Sequence, residues 1–107
     1  MNTCSYICKN RIMTEKTAIE RMDQAAYKLK AISNGTRLYV ISLLSNEDEM
    51  SVSQLNEHLK CEQSLLSHHL TAMRAKGILN CRKVGKHCFY SLKNKEIIGV
   101  LAYVSSV

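Results

Sequence analysis

Apolar residues along this chain recur at steps of three and four, switch to alternation late in the sequence, and then return to helical spacing. From about Thr14, the residues Ile19, Met22, Ala26, Leu29 and Ile32 share one helical face, with Glu, Arg, Asp and Lys between them. Ser33-Asn34-Gly35 interrupts this run, and Asn34 is a suitable cap for a second helix whose apolar face holds Leu38, Ile41 and Leu44. Residues 46–49 form a polar, acidic loop. Ser51 and Gln54 have the spacing of a capping box, which predicts a short third helix to about Leu59. A fourth helix is predicted from about Glu62 to Lys76, with Gly77 as its C′ residue and Arg74 and Lys76 in its last turn. Residues 78–84 and 87–92 have strand composition around Gly85-Lys86, the pattern of a β-hairpin. Asn94 then caps a last helix of about ten residues.

Two helices on a tight link, followed by a hairpin, make a winged helix-turn-helix. The expected fold class is mainly α with a small two-stranded wing, about five helices in all, and dimeric. Residues 1–13 show no clean period and are expected to be a flexible arm. Residues 14–107 are expected to form the domain proper, with the first and last helices at the dimer interface.

Charge sharpens this picture. The 107 residues carry 15 Lys and Arg against 9 Asp and Glu, a net +6. Residues 44–59 hold four acidic groups and no Lys or Arg, whereas residues 60–93 hold seven basic groups against the single acid Glu62. The basic surplus therefore lies on the fourth helix and the hairpin, where it suits a polyanion. The near-apolar runs, residues 38–44 and 97–104, are far shorter than the ~20 residues that span a bilayer. The first residues lack the apolar core of a secretory signal. A cytoplasmic protein with no membrane partner is expected.

The fourth helix separates cleanly into two faces. Leu66, Leu70 and Met73 make an apolar stripe, while Gln63, Ser64, Ser67, His68 and Thr71 fall together opposite it. That polar face has no carboxylate and is rich in groups that both donate and accept hydrogen bonds. Gln matches adenine N6/N7, Ser pairs either way, and His donates to guanine or phosphate. Arg74, Lys76, Arg82, Lys83 and Lys86 would supply contacts to phosphate that are blind to sequence. In the hairpin, Leu79, Cys81, Cys88, Tyr90 and Leu92 share an inward face, with Asn80, Arg82, His87 and Ser91 outward; Phe89 falls on the outer face, against the pattern.

Five cysteines, Cys4, Cys8, Cys61, Cys81 and Cys88, are an odd number for a disulfide framework. Cys81 and Cys88 are expected as diagonal neighbours, read first as small buried hydrophobes and second as a redox pair. Cys4 and Cys8 are four apart and would share a face in a helical arm, as plain thiols or as part of a soft-metal or arsenite site. His68-His69 lacks the i, i+4 spacing of a helical zinc pair, so His69, between Leu65 and Met73, is expected to be partly packed. No metal site and no cofactor are assigned. Gly-x-Ser-x-Gly, His-Glu-x-x-His and phosphate-cradling Gly-rich loops are absent, and no enzymatic role is expected.

Lys30-Ala-Ile-Ser-Asn-Gly-Thr-Arg-Leu38 resembles the opening of the second helix in ArsR/SmtB-type bacterial repressors. Glu49-Met-Ser-Val-Ser-Gln-Leu55 is similar to their third helix, and Gln63-Ser-Leu-Leu-Ser-His-His-Leu70 to their recognition helix. Gly77-Ile-Leu, Arg82-Lys-Val-Gly-Lys86 and Phe89-Tyr-Ser-Leu92 resemble their wing. The resemblance covers about residues 25–93. It implies a homodimeric repressor that binds double-stranded DNA at a palindromic operator. By position, Gln63, Ser64, Ser67, His68 and His69 match the reading helix, and Arg82, Lys83 and Lys86 the wing. Metal-sensing members carry Cys-Val-Cys where this chain has Ser51-Val52-Ser53, and zinc-binding members use Asp and His in a last helix that here, over residues 94–107, has neither. Members that sense sulfur oxidants carry a second-helix cysteine where this chain has Ser42. The effector is therefore left open between a thiol switch, a soft metal and none. The alternative to a repressor is a protein-interaction module on the same scaffold without DNA binding.

Overall fold

The computed structural model describes residues 15–105. The order is α1 (Glu15–Ala31), α2 (Gly35–Asn46), β1 (Met50–Ser51), α3 (Val52–Leu59), α4 (Gln63–Ala75), β2 (Leu79–Val84), β3 (His87–Leu92) and α5 (Ile97–Ser105). This is the winged helix-turn-helix arrangement expected from the sequence. The arm assigned to residues 1–13, with Cys4 and Cys8, lies outside the described residues.

Local chemistry sets the helix ends. Asn34 Oδ1 accepts a hydrogen bond from the Arg37 backbone N–H at 3.2 Å and starts α2. The capping box at α3 is closed: Gln54 N–H donates to Ser51 Oγ at 3.2 Å and Ser51 N–H donates to Gln54 Oε1 at 2.9 Å. Each satisfies a donor that the helix leaves orphaned. At the far end of α4, Gly77 takes φ +81°, and the Ile78 N–H donates back to the Met73 carbonyl at 2.9 Å. This left-handed stop turns the chain straight into β2.

The wing departs from expectation in one respect. The two-stranded hairpin is present, but a third, two-residue strand, β1, adds to its base, giving an antiparallel sheet of order β1-β3-β2 with Met50 opposite Tyr90 and Ser51 opposite Phe89. Two residues are too few to display alternation, so nothing in their pattern distinguishes them from loop. The β2–β3 register is as read from the Gly85-Lys86 turn, with Cys81 opposite Tyr90 and Lys83 opposite Cys88. The last helix also begins later than expected. Asn94 Oδ1 accepts from the Glu96 N–H at 3.0 Å, and a turn over residues 94–96 precedes α5.

The core gathers Ile41 and Leu44 from α2, Leu55 from α3, Leu66, Leu70 and Met73 from α4, and Leu79, Tyr90 and Leu92 from the sheet. Burial of side chains this size stabilises by roughly 1.5–3 kcal/mol apiece. Helix α1 stands apart. Of its expected apolar face and the residue just beyond it, only Ile32 is buried, while Ile19 and Met22 are 61% and 58% exposed and Leu29 is exposed as well. α5 rests on the core through half-buried Ile97, Ile98 and Leu101, and exposes Val100, Tyr103 and Val104.

Candidate nucleic-acid interface

Three completely buried side chains, Leu66, Leu70 and Met73, clamp α4 onto the core and thereby fix which side faces outward. On that outward side Gln63, Ser64, His68, Thr71 and Arg74 are exposed, and Ser67 is half-buried. Two carboxylates border the start of this face: Glu57 of α3 shares a shallow surface pocket with Gln63, and Glu62 lies at the helix start. Glu62 occupies the N-cap without capping the helix, and its Oε1 accepts from Ser64 Oγ at 3.0 Å. The early N–H groups of α4 consequently keep their capacity for an outside acceptor.

His69 is placed differently from the other residues assigned to the reading face. It is half-buried, and its Nδ1 accepts from Arg37 Nε at 2.9 Å; Arg37 also donates to the Ala31 carbonyl at 2.9 Å. The expectation of a packed histidine is met. Burial, helped by the Arg37 guanidinium and by His68, holds the imidazole below the ordinary histidine range. Arg37 is assigned no role at this surface by the sequence pattern. It is the one charged residue of α2, a signal that it has a specific partner. Its bonds tie the α1–α2 corner to the middle of α4.

The cations of this region fall into two groups. Lys76 lies 4.5 Å from the centre of the Tyr27 ring and donates to its hydroxyl at 3.5 Å, bridging α4 to α1. Arg82 is paired with Glu49, through Nε at 3.2 Å and through a second bond from its terminal nitrogen, and its guanidinium sits 5.1 Å from the Phe89 ring centre. The pairing holds the Glu49 carboxyl below the usual carboxylate range and raises the Arg82 value. It also accounts for Phe89, which is half-buried beneath the arginine rather than stranded in solvent. Arg74, Lys83 and Lys86 are exposed and, among the described residues, have no ion-pair or hydrogen-bond partner.

Cys81 and Cys88 are joined by a disulfide, with Cα atoms 6.2 Å apart. The first expectation for them, small buried hydrophobes, is thus corrected. Both do pack against the core, but the diagonal register also brings the two sulfurs within bonding reach. Cys61 is a free, half-buried thiol, its N–H bonded to Asn56 Oδ1 at 3.0 Å. Among the described residues no three His, Cys, Asp or Glu side chains converge to hold a metal, and no helix is long and apolar enough to cross a membrane.

Residues 34–80, from the cap of α2 to the start of β2, match the model of the bacterial regulatory proteins of the arsR family. The transcriptional activator HlyU of Vibrio cholerae is 38% identical over 74 residues, covering 69% of this chain and 68% of HlyU. The chain belongs to the arsR family. This is a family of transcriptional regulators, not of enzymes. The solved structure of Vibrio cholerae HlyU superposes on this arsR-family chain with TM-score 0.73 and 33% identity, covering 81% of this chain and 97% of that one. The transcriptional repressor PagR of Bacillus anthracis gives TM-score 0.72 at 28% identity, covering 81% and 99% of the two chains. A homodimeric winged helix-turn-helix DNA-binding domain from Mycobacterium bovis gives 0.72 at 25% identity, covering 87% and 84%.

Proposed function

We propose that this arsR-family regulator is a cytoplasmic homodimer that binds a palindromic operator in double-stranded DNA and represses transcription by occupying it. The observation that carries the reading is the exposed polar side of α4, whose own residues include no carboxylate, adjoining wing lysines that have no partner among the described residues. In this reading Gln63, Ser64, Ser67, His68 and Thr71 face base edges in the major groove. Arg74, Lys83 and Lys86 meet phosphates, with Lys76 at the margin. Arg82 and His69 contribute mainly by position: Arg82 braces the wing against the β1 approach, and His69 braces α4 against α2.

The second protomer is supported by the apolar surface of α1 and α5. Ile19, Met22, Leu29, Val100 and Val104 are exposed on helices that otherwise close the domain. A groove of about 330 Å³ runs between these helices, walled by Leu29, Ile32, Ile78, Ile97 and Val100. Exposed apolar surface of this extent marks an association site. Two-fold pairing there would set two α4 helices about one DNA turn apart, roughly 34 Å, which is what a palindromic site requires.

The test is binding of the purified chain to the DNA upstream of its own gene, with Gln63→Ala and His68→Ala beside wild type. A specific footprint is expected, with each substitution costing about 1–3 kcal/mol at the operator and little on unrelated DNA. A reporter driven by that region should rise when the regulator is deleted. Wild-type protein that bound operator and unrelated duplex equally would refute specific reading by α4.

A further inference from the structure

The disulfide sits at an informative height on the wing. Below it the hairpin is anchored several times over: Leu79, Tyr90 and Leu92 are buried, β1 pairs with Tyr90 and Phe89, and Arg82 is bound to Glu49. Above it only the Lys83–Cys88 and Val84–His87 ladder pairs remain, and Lys83, Val84, Lys86 and His87 are all exposed. The Cys81–Cys88 bond therefore adds little to holding the sheet on the core. What it restrains is the tip, the part of the wing with the two unpartnered lysines.

We propose that Cys81 and Cys88 are a thiol–disulfide switch on the wing, closed by a low-molecular-weight disulfide, that sets how firmly the wing tip is presented to DNA. The proposal rests on the DNA-binding reading above. Disulfides in reducing compartments are typically transient and redox-sensing rather than structural. Cys88 is half-buried, and the register pairs it with exposed Lys83 toward the exposed tip of the hairpin, the side from which a small disulfide reaches it. In the closing reaction the Cys88 thiolate attacks one sulfur of the small disulfide RSSR, forming Cys88–S–S–R and releasing RS⁻. The Cys81 thiolate then attacks the Cys88 sulfur and displaces the second RS⁻. Two protein thiols lose two electrons, one small disulfide becomes two thiols, and the two protein protons end on them. Excess small thiol runs the same steps backward.

The oxidised wing meets DNA with its tip already ordered, whereas the reduced wing must order it on binding. Re-ordering even one backbone residue corresponds to a loss of about fivefold to thirtyfold in affinity. The reduced form should therefore bind the weaker by that factor.

The experiment uses the full chain carrying Cys4→Ser, Cys8→Ser and Cys61→Ser, so that only the wing pair can titrate. It is equilibrated with glutathione disulfide or with excess reduced glutathione. Free thiols are counted, and affinity for the upstream DNA is measured by fluorescence anisotropy. Two thiols should disappear on oxidation with the chain still free of intermolecular links, and affinity should rise about fivefold to thirtyfold. Adding Cys81→Ser and Cys88→Ser should lock the protein at the weaker affinity under both conditions. Peptide mapping of the wild-type chain should recover the same Cys81–Cys88 link, which covers the case in which the multiple variant folds poorly. Two thiols that stay free under glutathione disulfide would overturn the switch, as would equal affinities for the oxidised and reduced forms. Absence of operator binding in both redox states, with the thiols titrating normally, would instead overturn the DNA-binding reading and remove this proposal with it.

Discussion

Replacing Lys86 by alanine isolates the electrostatic share of DNA binding. Lys86 lies at the wing turn, exposed and without a partner among the described residues, so its removal orphans none of their polar groups. The free cations of the face are Arg74, Lys83 and Lys86, doubled in a dimer. Each neutralised phosphate contributes about −0.9 to the slope of log affinity against log salt, so the wild-type slope should be about −5. The variant loses two charges per dimer and should fall to about −3.5. From 50 to 200 mM salt, wild type should then weaken by about a thousandfold and the variant by about a hundredfold. The assay is anisotropy across a salt series, on the operator and on an unrelated duplex of equal length. Both duplexes should show the same change of slope. A variant that keeps the wild-type slope, or weakens on the operator alone, would show that Lys86 reads sequence or touches no phosphate.

Other substitutions probe the support of that surface. Leu70→Ala, at a fully buried position, should cost about 2–5 kcal/mol in urea unfolding; a loss under 1 kcal/mol would mean that α4 is not clamped as described. Ser51→Ala opens the α3 capping box and should cost about 1 kcal/mol. Because burial and Arg37 lower the His69 value, the unfolded chain takes up this proton first as pH falls. Its contribution to stability is then intact well above pH 6.5 and declines from there down through the lowered folded value. Wild type should accordingly lose more stability than His69→Gln between pH 7.5 and 5.5; parallel loss in the two proteins would exclude His69 as the source. Ile19→Asp on exposed α1 should shift sedimentation toward monomer while leaving the far-ultraviolet spectrum unchanged, and an unaltered dimer would move the interface elsewhere.

What could be read in the chain followed from periodicity and from end signals. Leu66, Leu70 and Met73 repeat at helical steps and Gly77 closes the run, so both the orientation and the end of α4 are legible in the sequence. The α1 stripe was equally visible, but periodicity reports only that a face is apolar, not whether the same protomer covers it; Ile19 and Met22 turn out to be open. Contacts between distant positions left no trace in the pattern. Arg37 reaches His69 and Arg82 reaches Glu49 across more than thirty residues of chain, and each pairing depends on how α2, α4 and the sheet pack. The wing cysteines illustrate the boundary. Hairpin register placed Cys81 and Cys88 diagonally, while the bond between them depends on a separation that the alternating pattern does not encode.

Gly77 has a consequence for how this protein can change. Because a joint of only three residues, Lys76-Gly77-Ile78, hydrogen-bonded back onto the helix, connects the end of α4 to β2, helix and hairpin have little slack between them. An added or deleted residue at this joint would swing the hairpin around the helix axis and so change where its lysines lie relative to the outward face of α4. Side chains along α4 can be exchanged one at a time, but the offset between the helix and the hairpin tip is built into the joint and is open to far less variation.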